Sequence, residues 1–162
     1  AVIGGATGAV TESSFTGDGT NGDAGQAYDV YEFTGAGQLV VSDDGNGMAE
    51  LFTLGGGGGG QDTGGGAGGL IEGQVYLDAG TFTVAIGGGG AQNVNGGDSY
   101  FGRGTNTTLY ALGGGAGTVA WQNGKAGGCG GGAATTNRPV AITWRWDRPR
   151  CIPRWWRSRW PR

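Results

Sequence analysis

The sequence predicts an all-β or irregular fold without an α-helix, in which β-hairpins lead into packed polyglycine-II-like helices. Glycine occupies 42 of the 162 positions, against an ordinary usage of about 7%. The remaining sequence contains short runs of β-branched and aromatic residues, which are typical of strands. No stretch combines the 3.6-residue apolar period with the caps that indicate an amphipathic helix.

The glycine content also bounds the class of protein. Glycine adds no side chain to a core and loses the most backbone entropy on folding, so an ordinary hydrophobic core is not favoured over much of the length. Collagen is excluded, because glycine shows no strict period of three and proline is scarce beside it. Glycine-rich segments without a period often stay flexible, but the compact β-like runs argue against simple disorder.

Composition predicts three segments. Residues 1–27 are polar and rich in turn sequences, and we interpret them as a linker or an N-terminal arm. Residues 28–132 form the predicted glycine-rich β domain. Residues 133–162 are an Arg/Trp/Pro-rich tail that we do not assign to the domain.

The domain begins with two β-like runs, residues 28–33 and 39–41, on either side of Gly35-Ala36-Gly37. Two such runs around a glycine turn predict a hairpin. A second turn is predicted at residues 43–47, and the apolar run 51–54 follows it.

The clearest alternation lies between residues 74 and 86. Apolar residues occupy every second position on both sides of the Asp78-Ala79-Gly80 turn, namely Val75, Leu77, Phe82, Val84 and Ile86. This period of two predicts a second hairpin with one apolar row on one face. Later β-like segments are Ser99–Phe101, Leu109–Leu112 and Thr118–Trp121.

A glycine run follows the β-like segments that end at Leu54, Ile86 and Leu112. A glycine run can adopt an extended helix with three residues per turn, like polyproline II. Glycine keeps its N–H and lacks a Cβ, so such chains can approach closely and bond laterally into a rigid slab. The alternative is a set of flexible spacers. The predicted structural glycines are Gly55, Gly60, Gly87, Gly90, Gly113 and Gly115.

Charge separates the tail from the rest of the chain. Residues 1–137 carry twelve acidic and two basic side chains, a net charge of −10, whereas residues 138–162 carry eight arginines and one aspartate, a net charge of +7. Every glycine lies at or before Gly132, while all four prolines and five of the six tryptophans follow it.

Three interpretations of the tail stay open. Arg and Trp together suit an anionic membrane interface. A cationic arm would also suit docking on an acidic partner, such as the body of a neighbouring copy. The third is a shifted reading frame, because glycine codons (GGN) read one base out of register become NGG, which encodes Trp, Arg or Gly. The triplet Trp155-Trp156-Arg157 fits TGG-TGG-CGG, whose neighbouring frame contains glycine codons.

The composition does not favour catalysis. The chain has no histidine, which removes the commonest general acid/base and the commonest metal ligand, and a Ser or Cys nucleophile would lack that base. Residues 43–47 lack the ligand spacing of an EF-hand. The acidic body argues against nucleic-acid binding. We therefore expect no enzymatic activity, no cofactor, no metal site and no nucleic-acid partner.

The segments follow a recognisable order. A β-hairpin precedes Leu54–Gly60 and Gly64–Leu70, and then come Asp78–Gly87, Gly96–Gly102 and Leu109–Gly115. This order, over roughly residues 27–132, resembles the glycine-rich domains of bacteriophage minor tail proteins and tail-fibre adhesins. The resemblance implies a virion structural protein with packed polyglycine helices, often near the receptor-binding end of the tail, without a cofactor or catalytic residues. The chain departs from the pattern at about Ala133.

From this resemblance we expect a protein at the virion surface that acts mechanically and by adhesion. Its partners would be other virion proteins, further copies of itself within the assembly, and a host-surface glycan or protein. The candidate contact loop is Gln92, Asn93 and Asn95, since polar loops on a rigid base suit recognition. The alternatives are a capsid or tube decoration protein without receptor binding, and a glycine-rich cell-surface or ice-binding structural protein.

Overall fold

A computed structural model describes residues 3–42, 47–103, 107–119 and 122–133. Over these residues the chain forms seven strands and no helix, as the glycine-rich, β-branched composition predicts. The strands are β1 (Ile3–Thr16), β2 (Ala27–Val41), β3 (Gly47–Leu54), β4 (Leu70–Leu77), β5 (Gly80–Ala85), β6 (Ser99–Arg103) and β7 (Thr107–Ala111).

The chain divides into two compact units. One, here called the β unit, comprises residues 1–53, 71–87 and 99–110; the other, the glycine unit, comprises residues 54–70, 88–98 and those from 111 onward. The predicted domain boundaries at residues 27 and 132 stay predictions, and the tail from residue 134 lies outside the described residues.

The β unit contains two antiparallel sheets. One has five strands in the order β1-β2-β5-β6-β7, and the other pairs β3 with β4. Their apolar side chains meet in one core, whose buried members are Leu39, Val41, Leu77, Phe82, Val84 and Phe101. The rings of Phe82 and Phe101 stack with centroids 5.1 Å apart.

The glycine turn predicted at residues 35–37 is wrong, because β2 runs without interruption from Ala27 to Val41. The register with β1 shifts between Gly8 and Val10, which marks a bulge. At this bulge Gly8 has a φ of 101°, and a Cβ on Gly37 would overlap the carbonyl oxygen of Thr7 and lie within 3 Å of the Phe33 ring. These glycines therefore allow two backbones to approach inside a strand pair, which is the other common use of glycine in strands.

The second predicted hairpin is right in its strands and wrong in its pairing. Phe82 and Val84 alternate with exposed residues and are buried, as the period of two predicts. However, β5 pairs with β2 and β6, whereas β4 pairs with β3. Phe82 lies opposite Leu39 in the register, so the apolar row of β5 pairs with β2, which is distant in the sequence, rather than with its sequence neighbour β4. Local alternation identifies a face but does not choose the partner.

Residues 3–16, expected in a linker or an arm, form β1, which pairs with β2 from Ile3↔Val41 to Thr16↔Ala27. The Phe15 and Tyr28 rings stack near the end of this pair at 5.1 Å. Burial raises the pKa of Tyr31, and the carboxylates of Glu12 and Asp29 raise it further. The strand was not predicted because its Gly, Ala, Ser and Thr residues show no apolar alternation.

The structure describes two further predicted segments only in part. In the predicted turn at residues 43–47, Gly47 begins β3 and residues 43–46 lie outside the described residues. The β-like segment Thr118–Trp121 forms no strand at Thr118 and Val119, and its last two residues lie outside the description.

Candidate functional site: the glycine unit

The described part of the glycine unit contains six extended segments of chain outside helices and strands, here called passes. They are pass 1 (residues 55–60), pass 2 (64–69), pass 3 (88–91), pass 4 (94–97), pass 5 (112–118) and pass 6 (124–132). Strand β3 leads into pass 1 and β7 into pass 5, and β5 precedes pass 3 by two residues, so the predicted succession of strand and glycine run is confirmed.

Backbone hydrogen bonds connect pass 1 to four other passes with a period of three. Gly55 and Gly58 donate to pass 2 at N···O distances of 2.9 and 2.8 Å, whereas Gly56 and Gly59 donate to pass 4, both at 2.9 Å. Pass 5 donates to the carbonyl oxygens of Gly56 and Gly59, and pass 3 donates to that of Gly57. A strand in a sheet reaches two neighbours with a period of two, so this connectivity is not that of a sheet.

Pass 5 lies at the centre of the unit. Residues 113–118 are all buried, and Ala116 is 0% and Thr118 1% exposed. Pass 5 is hydrogen-bonded to passes 1, 2, 4 and 6; for example, it accepts from Gly69 and Gly66 of pass 2 at 2.6 and 2.7 Å. The centre of the unit is therefore backbone, and its amides find partners in neighbouring passes, as buried amides require.

The close approach of the passes explains why glycine is needed. A Cβ on Gly58 would overlap the carbonyl oxygen of Gly115, and a Cβ on Gly96 would overlap that of Gly56. Other positions differ: the nearest atom to a Cβ on Gly57 would be 3.8 Å away, and a Cβ on Gly64 would meet nothing within 4 Å. The requirement for glycine is thus specific to the residues that face another pass.

Five of the six glycines singled out from the sequence lie close against other backbone of the glycine unit. A Cβ would come closer than 3.0 Å to a carbonyl oxygen at Gly55, Gly60, Gly90, Gly113 and Gly115. Gly87 belongs to the β unit, where its N–H donates to the Ser99 hydroxyl at 2.9 Å.

Three polar side chains add hydrogen bonds within the glycine unit to those that the backbone makes. The Asn95 amide accepts from the Ala116 N–H and donates to the Ala126 carbonyl, both at 2.9 Å. The Asp98 carboxylate accepts from the Gly113 N–H at 2.7 Å. The Thr63 hydroxyl accepts from the Thr118 N–H and donates to the Gly132 carbonyl. Sequence reasoning did not predict these anchors: it assigned Asn95 to a partner-contact loop and did not single out Thr63 or Asp98, although each of the three is a polar residue next to a glycine.

The predicted contact loop is a tight turn between passes 3 and 4. The Val94 N–H donates to the Ala91 carbonyl at 2.9 Å, and Asn93 has a φ of 59°, a conformation that Asn tolerates better than most residues. Lys125 Nζ donates to the Asn93 carbonyl at 2.6 Å. The Asn93 Oδ1 atom is buried and has no hydrogen-bond partner within the described part of the chain.

This geometry determines which side chains of the loop can contact a binding partner. The Asn95 amide is engaged within the unit, while Gln92 is exposed and Val94 is 51% exposed. A role of Gln92, Asn93 and Asn95 in binding a partner stays a prediction.

The described residues contain no group of three or more His, Cys, Asp or Glu residues arranged to hold a metal ion. None of their segments is a helix long and apolar enough to cross a membrane. Cys129 in pass 6 is disulfide-bonded; the chain's other cysteine, Cys151, lies outside the described residues.

The chain belongs to the glycine-rich domain family, whose model matches residues 33–143. The match covers the glycine unit through residue 133 and most of the β unit. Comparisons with curated proteins and with solved structures found no match.

Adjacent glycines of pass 1 provide a matched test of the close packing. We expect Gly58→Ala to lower the free energy of unfolding by about 3 kcal/mol, because the methyl group would force passes 1 and 5 apart and break their neighbours' bonds. Gly57→Ala should change it by less than about 1 kcal/mol, since the space there is open. Pulse proteolysis in urea measures both, and equal effects would contradict the packing.

The Asn95 anchor gives a second test. Asn95→Asp keeps an acceptor for the Ala116 N–H but places a carboxylate against the Ala126 carbonyl, so we expect a loss of about 1–2 kcal/mol at pH 7. Protonation restores a donor, so the loss should shrink below about pH 4. Gln92→Glu makes the same chemical change at an exposed position and should be nearly neutral. Urea titration at both pH values checks this; a loss that does not depend on pH would exclude the bond to Ala126.

Proposed function

We propose that the passes of the glycine unit are polyglycine-II-like helices packed side by side. The period of three in the bonds of pass 1 matches three residues per turn. A threefold chain directs its amides outward in several directions, which agrees with the four neighbours of passes 1 and 5. The buried, side-chain-poor pass 5 is the single observation that carries the proposal.

On this basis we propose that the chain is a virion structural protein of a bacteriophage tail or fibre, with a role in binding the host receptor. The order of β segments and glycine runs supports the proposal through its resemblance to tail proteins. A unit held by backbone bonds suits a mechanical role, because each pass is fixed by several others. Such a unit resists local opening better than a loop does.

The adhesive part of the proposal concerns the turn between passes 3 and 4. Its backbone is fixed by the Val94 to Ala91 bond and by Lys125, so little conformational entropy remains to be lost on binding. Gln92 offers an amide donor and acceptor beside the apolar surface of Val94. This pairing suits a glycan or protein surface of the host.

The test locates the chain in particles and on cells. Antibodies raised against the chain should label the tail tip or fibres of particles from the source culture in negative-stain electron microscopy. Purified chain should bind isolated host envelopes, and Gln92→Ala should weaken that binding without changing the unfolding free energy. Labelling of the capsid or tube without envelope binding would favour a decoration protein. Absence of label from all particles would contradict the virion role.

A further inference from the structure

The five-stranded sheet of the β unit has one face against the core and a second face, here called the outer face, directed away from it. Leu39 on β2 and Phe82 on β5 lie opposite each other and are buried in the core. Side chains alternate along a strand, so the residues next to these two belong to the outer face. They are Gln38, Val40, Thr81 and Thr83, and all four are exposed. The outer face is therefore open to solvent over β2 and β5.

Two tyrosines stand on the outer face, on the strands beyond β5. Tyr100 on β6 is the register partner of Ala85, and Ala85 shares the face of Thr83 because the two are separated by two positions on β5. The Tyr110 ring on β7 lies 5.6 Å from that of Tyr100, centroid to centroid, at an angle of 44°, so it belongs to the same face. Tyr110 is 55% exposed. The pair thus offers aromatic surface to a ligand rather than to the core.

The strands on the other side of β5 add hydrogen-bonding groups. Thr83 lies opposite Gln38, which lies opposite Thr7 on β1, so a hydroxyl, an amide and a second hydroxyl form a row across three strands. Thr7 is exposed as well. Neighbouring strands are about 4.8 Å apart, so the five strands from β1 to β7 span about 19 Å. The outer face therefore suits an extended ligand rather than a single small molecule.

The charge of the outer face defines the class of ligand. None of the side chains assigned to it between Thr7 and Tyr110 is charged, although residues 1–137 carry a net charge of −10. On β2 the nearest carboxylate of this face belongs to Glu32, which is exposed and about 20 Å along the strand from Gln38. A cationic peptide or a nucleic acid would find no charge of opposite sign among these groups. The face is therefore complementary to an uncharged ligand.

An uncharged oligosaccharide combines the two kinds of contact that the outer face offers. Its hydroxyl groups are donors and acceptors that match the threonine hydroxyls and the Gln38 amide. Its C–H groups carry a small positive charge and pack on the negative face of a tyrosine ring. Threonine and tyrosine have few rotatable bonds, so holding them against a ligand costs little conformational entropy.

We propose that the outer face of the five-stranded sheet binds an uncharged oligosaccharide, which stacks a sugar ring on Tyr110 and bonds to Thr83 and Gln38 through its hydroxyl groups. The site lies within the β unit and is separate from the turn at Gln92. It does not depend on a role in a virion.

An array of immobilised oligosaccharides tests the class of ligand. The fluorescently labelled full chain is applied to uncharged oligomers of glucose, mannose and N-acetylglucosamine, and to anionic oligogalacturonates and sialylated oligosaccharides. We expect the chain to bind uncharged oligomers, the longer ones more tightly, because they reach more of the face. Binding to the anionic oligosaccharides alone, or to none on the array, would overturn the proposal.

Variants locate the site, with affinity for the best uncharged oligomer measured by titration calorimetry. Tyr110→Ala removes the exposed ring and should weaken binding by about tenfold. Thr83→Val keeps the shape and suits a strand, but it removes the hydroxyl and should weaken binding by about threefold to tenfold. Tyr76→Ala is the matched control, since Tyr76 is 57% exposed on β4 in the other sheet, and it should leave the affinity unchanged, as should Gln92→Ala.

Thermal unfolding checks that each variant is folded. Unchanged affinity in the folded Tyr110 and Thr83 variants, or equal weakening by Tyr76→Ala, would show that the oligosaccharide binds elsewhere. Sedimentation of the full chain without oligosaccharide tests a second copy as the occupant. A dimer that Tyr110→Ala abolishes would contradict the proposal.

Discussion

The hydrogen bond between a glycine N–H and a carbonyl oxygen of another pass is the interaction that holds the glycine unit together. One such bond contributes only about 0.5–1.5 kcal/mol net, whereas a buried amide without a partner costs about 1–3 kcal/mol. Residues 113–118 are buried with almost no apolar side chain among them. The unit is therefore stable only when all of its buried amides are hydrogen-bonded at the same time. A single Cβ between two passes disturbs several of these hydrogen bonds at once.

The β unit is stabilised in a different way. Its core consists of large apolar side chains, such as Phe82 and Phe101, contributed by both sheets. There the backbone bonds follow from strand pairing, and burial of side chains supplies most of the free energy. The same chain thus builds one compact unit around side chains and another around backbone. The chain passes from one unit to the other five times, after residues 53, 70, 87, 98 and 110.

Sequence patterns predicted the features that local chemistry determines. The buried row of Phe82 and Val84 follows from a period of two, and the succession of strand and glycine run follows from composition. The pairing of β5 with β2 could not be predicted, because strand alternation carries no information about a distant partner. The sequence around Gly37 predicts a turn, whereas the structure has a bulge there, because glycine suits both. The hydrogen bonds of Asn95 to Ala116 and Ala126 could not be predicted, because the sequence does not distinguish an exposed loop residue from one that connects two passes.

Amide hydrogen exchange of pass 5 tests the central claim most directly. The N–H groups of Gly114, Gly115 and Gly117 donate to carbonyls of passes 1 and 6, so they should exchange at least about a thousandfold more slowly than unstructured glycine amides. The exposed amides of Thr20 and Asn21, which bond to the Asp18 side chain, provide an internal reference for weak protection. Exchange of the pass 5 amides within about tenfold of the unstructured rate would mean that the glycine passes do not form a solid unit.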